Sequence, residues 1–286
     1  MSAAENEGRT TSAEAARSGA ADMPVSAASR GPTSGLVADP LVEYLLRHAD
    51  DRLVLGHRLS EWCGHAPILE EDIALGNIAL DLLGQATALL GLAGAAEGKG
   101  RDADALAFLR EAVEFRNAQI VELPRGDFAF TLVRQFLFDA YDVHLTDALQ
   151  RSAHAELAGV AAKAHKEAHY HVRHSGEWVV RLGDGTGESH RRAQRALDAL
   201  WRFSGELLTM DSVDRAMLDA GVGVDLDALR PQWERTVREV LDEATLRAPE
   251  PAAFTPGGRR GRHTEHLGHM LAEMQIVARS HPGATW

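Results

Sequence analysis

One cysteine, Cys63, stands in the 286 residues, so an internal disulfide framework is excluded and no site can be built on several thiolates. Aromatic side chains are scarce at 6%. Alternating β-branched runs are absent, which removes the ordinary signature of strands. No uninterrupted apolar run reaches the roughly 20 residues needed to cross a bilayer. The first residues lack a basic stretch followed by an apolar one, so a secretory leader is not expected and the expected compartment is the cytoplasm. Positive charge is in deficit: 30 Lys and Arg against 42 Asp and Glu give a net charge of −12. General nucleic-acid binding needs the opposite balance, so neither nucleic acid nor membrane is an expected partner.

What the chain does have is helix-forming sequence. Residues 1–36 are rich in Ala, Ser, Gly and Thr and poor in large apolar groups; they are read as a disordered tail, because they cannot bury enough surface to offset their ordering entropy. Residues 37–286 form the folded domain. Asp39-Pro40 starts it, since aspartate caps free amides and proline at the first helical position sacrifices no hydrogen bond. Apolar spacing then predicts helices over 41–62, 68–92, 103–122, 128–149, 153–182, 188–208, 212–220, 230–246 and 263–280, broken by Gly- and Pro-containing segments. Long helices with short breaks predict an all-α bundle.

The acids in these helices echo a known pattern. Di-iron bundles take one carboxylate from each of two helices and a Glu-x-x-His from each of two others, because hard iron needs anionic oxygens and imidazoles complete its coordination. Here Asp50 and Asp51 lie midway along the first long helix, and Asp81 follows in the second. Asp139 and Glu167 form a similar couple across the later hairpin. The histidines are missing, for Gly84 stands three residues after Asp81 and Tyr170 three after Glu167. His171, one residue on, is rotated by about 100° and expected to face elsewhere. The degenerate positions are thus Asp50, Asp51, Asp81, Gly84, Asp139, Glu167 and Tyr170. Two readings stay open: the acids are solvated or paired with Arg and Lys, or they form an unusual ligand set from Asp51, Asp81, Asp139, Glu167 and Tyr170.

Other groups are weighed in the same way. His263, His266 and His269 recur every third residue, but the outer two lie about 120° apart on a helix, so capping, hydrogen bonding or subunit contact is expected rather than one shared metal. His165, His169, His171 and His174 read as surface or network residues. Trp62 is expected in the core or an interface, and Cys63 as a small buried group. The loop 257–262 concentrates Arg259, Arg260 and Arg262 before His263. Either it is an ordinary exposed basic loop, or it makes a contact with a partner or an anionic phosphate group, for which guanidinium geometry is suited.

Several ordered stretches carry a resemblance: Leu53–Pro67 (LVLGHRLSEWCGHAP), Asn77–Ala86 (NIALDLLGQA), Lys166–His171 (KEAHYH), Leu200–Phe203 (LWRF), Gly261–Gly268 (GRHTEHLG) and Met270–Gln275 (MLAEMQ). Together they resemble the C-subunit family of the phenylacetyl-CoA epoxidases. The resemblance implies a ferritin-like four-helix core with extra C-terminal helices and a structural, non-catalytic role. It also implies no cofactor in this chain, with the di-iron centre in a catalytic A subunit, and a small B subunit and a reductase as further partners; a homodimer is a further alternative. The function implied is support of ring 1,2-epoxidation in aerobic phenylacetate degradation, with an unusual di-iron oxygenase or ferroxidase as the alternative.

Overall fold

The computed structural model describes residues 39–250 and 255–284; the expected N-terminal tail lies outside them. Ten α-helices occur among the described residues: α1 (Pro40–Ser60), α2 (Leu69–Glu97), α3 (Ala103–Phe108), α4 (Gln119–Glu122), α5 (Phe128–Leu149), α6 (Ala155–Gly183), α7 (Gly187–Ser204), α8 (Ser212–Asp219), α9 (Leu226–Glu243) and α10 (Glu265–Ser280). No strand occurs among them. The expected start is observed: the Asp39 carboxylate accepts from the Leu41 amide at 2.9 Å, with Pro40 at the first helical position.

The core is two helical hairpins, α1–α2 and α5–α6, joined across α2 and α6. α1 is buried on nearly every side, from Val42 to Leu59, including its charged residues Arg47, Asp50, Asp51, Arg52 and Arg58. α5 is similarly enclosed. A helix buried all round must satisfy its polar groups internally, and this sets up the site described below. α7 and α9 cover the second hairpin, α8 packs on α1, and α10 packs on α3 and the short 3₁₀ turn Ala112–Glu114.

Three expectations are corrected. The stretch 103–122 is not one crossing helix but α3, a 3₁₀ turn and α4. Carboxylates on α1 capture its backbone instead: Asp50 accepts from the Arg116 amide at 2.8 Å and Asp51 from the Ala118 amide at 2.7 Å, bonds that a continuous helix would forbid. α2 runs past the expected end at residue 92 to Glu97, where Gly98 closes it in the left-handed conformation (φ 67°). Gly94 lies inside this extension because a Cβ there would fall 2.1 Å from the Arg101 carbonyl oxygen. Cys63 is exposed on the α1–α2 turn rather than buried, whereas Trp62 is in the core, donating to Thr131 Oγ1 at 3.0 Å.

Candidate functional site

The acids singled out by spacing are distributed over separate contacts. Asp50 faces Arg110, which donates from Nη2 at 2.5 Å and from Nη1 at 3.0 Å. Asp51 receives both terminal nitrogens of Arg259, at 2.9 and 2.7 Å. Asp139 accepts from Gln135 Nε2 and Ser175 Oγ, each at 2.7 Å. Asp81 sits at the bundle edge, 3.1 Å from His171 Nε2. Gly84 is on the surface, with nothing within 4 Å of where its Cβ would stand. Tyr170 is 43% exposed and stacks on His174. His171, expected to face away, is the buried one, because the α6 face carrying Ala164, Ala168, His171 and Ser175 turns inward.

A different set converges between the four long helices. Arg52 on α1 donates from Nε to Gln85 Oε1 on α2 at 2.7 Å, and from Nη2 to Asp142 on α5. Its Nη1 donates to the His48 carbonyl at 3.0 Å. Gln85 passes the contact on, donating from Nε2 to Glu167 Oε2 on α6 at 2.8 Å. The centre of the bundle is therefore a guanidinium, one oxygen-bearing side chain being contributed by each of the other three helices. Of the expected positions only Glu167 belongs to it. Arg52, Gln85 and Asp142 were missed: Gln85 and Asp142 stand beside small or apolar residues on long helices, whereas Arg52 directly follows the two acids Asp50 and Asp51.

Electrostatics follow from burial. Desolvation pushes the Asp139 carboxyl up to about 7, against the opposing influence of His171 and of its hydrogen bonds to Ser175 and Gln135. Asp142 is raised for the same reason, with Arg52 opposing. His48, enclosed with neither ring nitrogen hydrogen-bonded, is held well below the ordinary imidazole range by burial and then by Arg52, Arg259 and Arg47. Burial alone would lower the Arg259 pKa, but the Asp51 carboxylate together with Tyr141 and Glu206 outweighs it and the net shift is upward.

The loop before α10 is anchored rather than free. Glu206 accepts from the amides of Gly257 and Gly258 at 2.9 and 2.8 Å, and a Cβ on Gly258 would lie 2.1 Å from the Asn117 carbonyl oxygen. Arg259 consequently points inward to Asp51, and His263 lies between Glu122, at 2.7 Å, and the Phe115 carbonyl, at 3.0 Å. Arg259 is an internal tie rather than the exposed loop residue expected, whereas His263 makes hydrogen bonds, one of the roles expected of it. Arg260 and Arg262 do remain on the surface. Among the described residues no group of three or more His, Cys, Asp and Glu side chains is placed to hold a metal ion. The donor set at the centre does not fit a di-iron pair: it offers two carboxylates, one amide and no imidazole to a volume already filled by a cation.

Two antiparallel hairpins around a polar centre, with helices added at the C-terminus, define an all-α ferritin-like protein. Likeness to known proteins narrows this class. A model of the phenylacetic acid catabolic protein family matches residues 32–286, and the chain belongs to that family. It is 49% identical over 246 residues to the C subunit of the 1,2-phenylacetyl-CoA epoxidase of Escherichia coli (strain K12), an alignment covering 86% of this chain and 99% of that protein.

Proposed function

We propose that this chain is the structural, non-catalytic C subunit of a phenylacetyl-CoA epoxidase, acting in the cytoplasm to support a separate di-iron A subunit alongside a B subunit and a reductase. One observation carries the reading: Arg52 occupies the centre of the bundle, held by Gln85 and Asp142. A guanidinium stays protonated at any physiological pH and presents only donors. It supplies the positive charge that the surrounding carboxylates require, but it has no open coordination position for dioxygen and no redox chemistry. The chain's own residues thus brace the fold. Arg52–Asp142, Arg110–Asp50 and Arg259–Asp51 tie α1 to α5, to the segment after α3 and to the loop before α10.

The alternative ligand set of Asp51, Asp81, Asp139, Glu167 and Tyr170 has less support, since those side chains belong to different contacts and two of them lie toward the surface. Reconstitution tests the proposal. Phenylacetyl-CoA epoxidation is measured with purified A subunit, B subunit and reductase, with and without this chain. Turnover that rises with this chain, together with none when the A subunit is omitted, is the expected result. Epoxide formed by this chain and reductase without the A subunit would overturn it.

A further inference from the structure

Between the C-terminal end of α7 and α9 lies an open cavity of about 690 Å³ that takes no part in the polar centre of the bundle. Small-molecule sites span roughly 300–1,000 Å³. The floor is buried and apolar, made by Trp233, Val237, Leu241 and Leu246. Trp233 uses its one donor on the Leu137 carbonyl, at 3.1 Å, and so offers the cavity ring surface. Trp201, half-buried, stands 5.7 Å from it with the two planes tilted by 35°. The rim is basic. Arg202, Arg230, Arg238 and Arg247 line it against only two acids, Glu234 and Asp242, so the lining is net positive in a chain of net charge −12. The Leu208 carbonyl holds Arg230 in place at 2.9 Å. The side chains of Arg238 and Arg247 make no hydrogen bond or ion pair among the described residues, although Glu234 and Asp242 stand one helical turn to either side of Arg238.

The wall carrying Arg247 is held firmly. At the end of α9 the Leu246 amide donates to the Leu241 carbonyl at 2.9 Å, a closure that places the residue before Leu246 in the left-handed region. Glycine is usual there. Here it is Thr245, with φ 56°, the only non-glycine residue of positive φ among the described residues. A β-branched side chain keeps that conformation only where its surroundings impose it. Gln194 on α7 does so, donating to the Arg247 carbonyl at 2.8 Å and accepting from the Arg247 amide at 2.9 Å. The backbone of Arg247 is therefore fixed, and its guanidinium is left for something outside the fold.

We propose that this cavity binds a nucleotide, its ring against Trp201 and its phosphates on the rim arginines. Bases stack on aromatic side chains whatever their identity, and guanidinium groups match phosphate oxygens two at a time. Spacing separates a nucleotide from a compact aryl acid. Arg230 and Arg238 lie about 12 Å apart along α9, with Trp233 between them. A ligand that uses this rim must carry its charge at a distance from its ring. An aryl carboxylate is too short for that and would leave most of the volume empty. A free nucleoside diphosphate and the nucleotide part of a coenzyme A thioester share the required chemistry. The site owes nothing to the adapter role, since all its residues belong to α7, α9 and the turns that follow them.

Isothermal titration of the full chain with ADP, coenzyme A, pyrophosphate and phenylacetate, at low ionic strength, provides the test. The expected result is binding of ADP, coenzyme A or both, weakened at least about tenfold by Arg238→Gln combined with Arg247→Gln, and likewise by Trp201→Leu. Arg215→Gln, which removes the same charge from an exposed position on α8 outside the cavity, should leave binding unchanged. Arg238 and Arg247 are exposed, so their variant should keep the parent's Tm and decides the matter even if Trp201→Leu unfolds. Binding of ADP alone identifies a free nucleotide as the ligand, and binding of coenzyme A alone identifies the thioester. Pyrophosphate bound as tightly as either nucleotide overturns the ring contact, and with it the nucleotide. Phenylacetate bound in place of both nucleotides overturns the class of ligand. Nucleotide binding that survives the double arginine change overturns the location. No binding of either nucleotide by the parent chain overturns the site and leaves the adapter role untouched.

Discussion

Replacing Asp139 with asparagine should flatten part of the pH dependence of stability. The carboxyl is 1% exposed, and burial raises its pKa from 3.8 to about 7. A folded-state value above the unfolded one means that the native chain binds more protons between these limits. Stability is therefore highest below the unfolded pKa and falls as pH rises through the folded one. Between pH 5 and pH 8 the linkage amounts to about 2.5 kcal/mol, on the order of two pH units at 1.36 kcal/mol each. Asparagine keeps the shape. Its Oδ1 still accepts from Gln135, and its Nδ2 donates to Ser175 Oγ, which goes on donating to the His171 carbonyl 2.9 Å away. The variant has no charge to desolvate, so its stability relative to the parent should climb by about 2.5 kcal/mol from pH 5 to pH 8. Urea denaturation of both chains at half-unit intervals measures the difference, in which every other titrating group cancels. Parallel curves across that range would refute the reasoning.

The central guanidinium gives a second prediction. Arg52→Met leaves the Asp142 carboxylate buried without its cation and should destabilise the fold by about 3–5 kcal/mol. Adding Asp142→Asn should return at least about 1 kcal/mol of that loss; additive losses in the denaturation cycle would mean that the pair is not coupled. Arg259→Gln should release the segment before α10, at a cost of about 3 kcal/mol, because Asp51 then keeps only the Ala118 amide. Limited trypsin digestion reports it: cleavage after Arg260 and Arg262 should accelerate, and an unchanged rate would contradict the anchoring role.

Much of the fold is legible in the sequence. Asp39-Pro40, the apolar spacing of the long helices and the glycine breaks place α1, α2, α5 and α6 within a few residues, because these signals act locally. The centre of the bundle is less legible. Acid spacing brings attention to the right helices but to the wrong faces, for one residue turns Asp51 toward Arg259 and Arg52 toward Gln85 and Asp142. On a helix buried all round, polarity alone does not say which face meets which neighbour. Arg259 is misread for a related reason: a Gly- and Arg-rich loop has the composition of a solvated one, and only Glu206 and Asn117, far away in sequence, draw it inward. The break in 103–122 is equally non-local, since the competing acceptors sit on α1.

Whether a bundle centred on Arg52 can hold iron decides between a brace and an oxygenase. Anaerobic incubation of the purified chain with ferrous iron, followed by gel filtration and elemental analysis, addresses this directly. Substoichiometric iron, unaffected by Glu167→Ala, is the predicted result. Two irons per chain, lost when Glu167 is replaced, would contradict it.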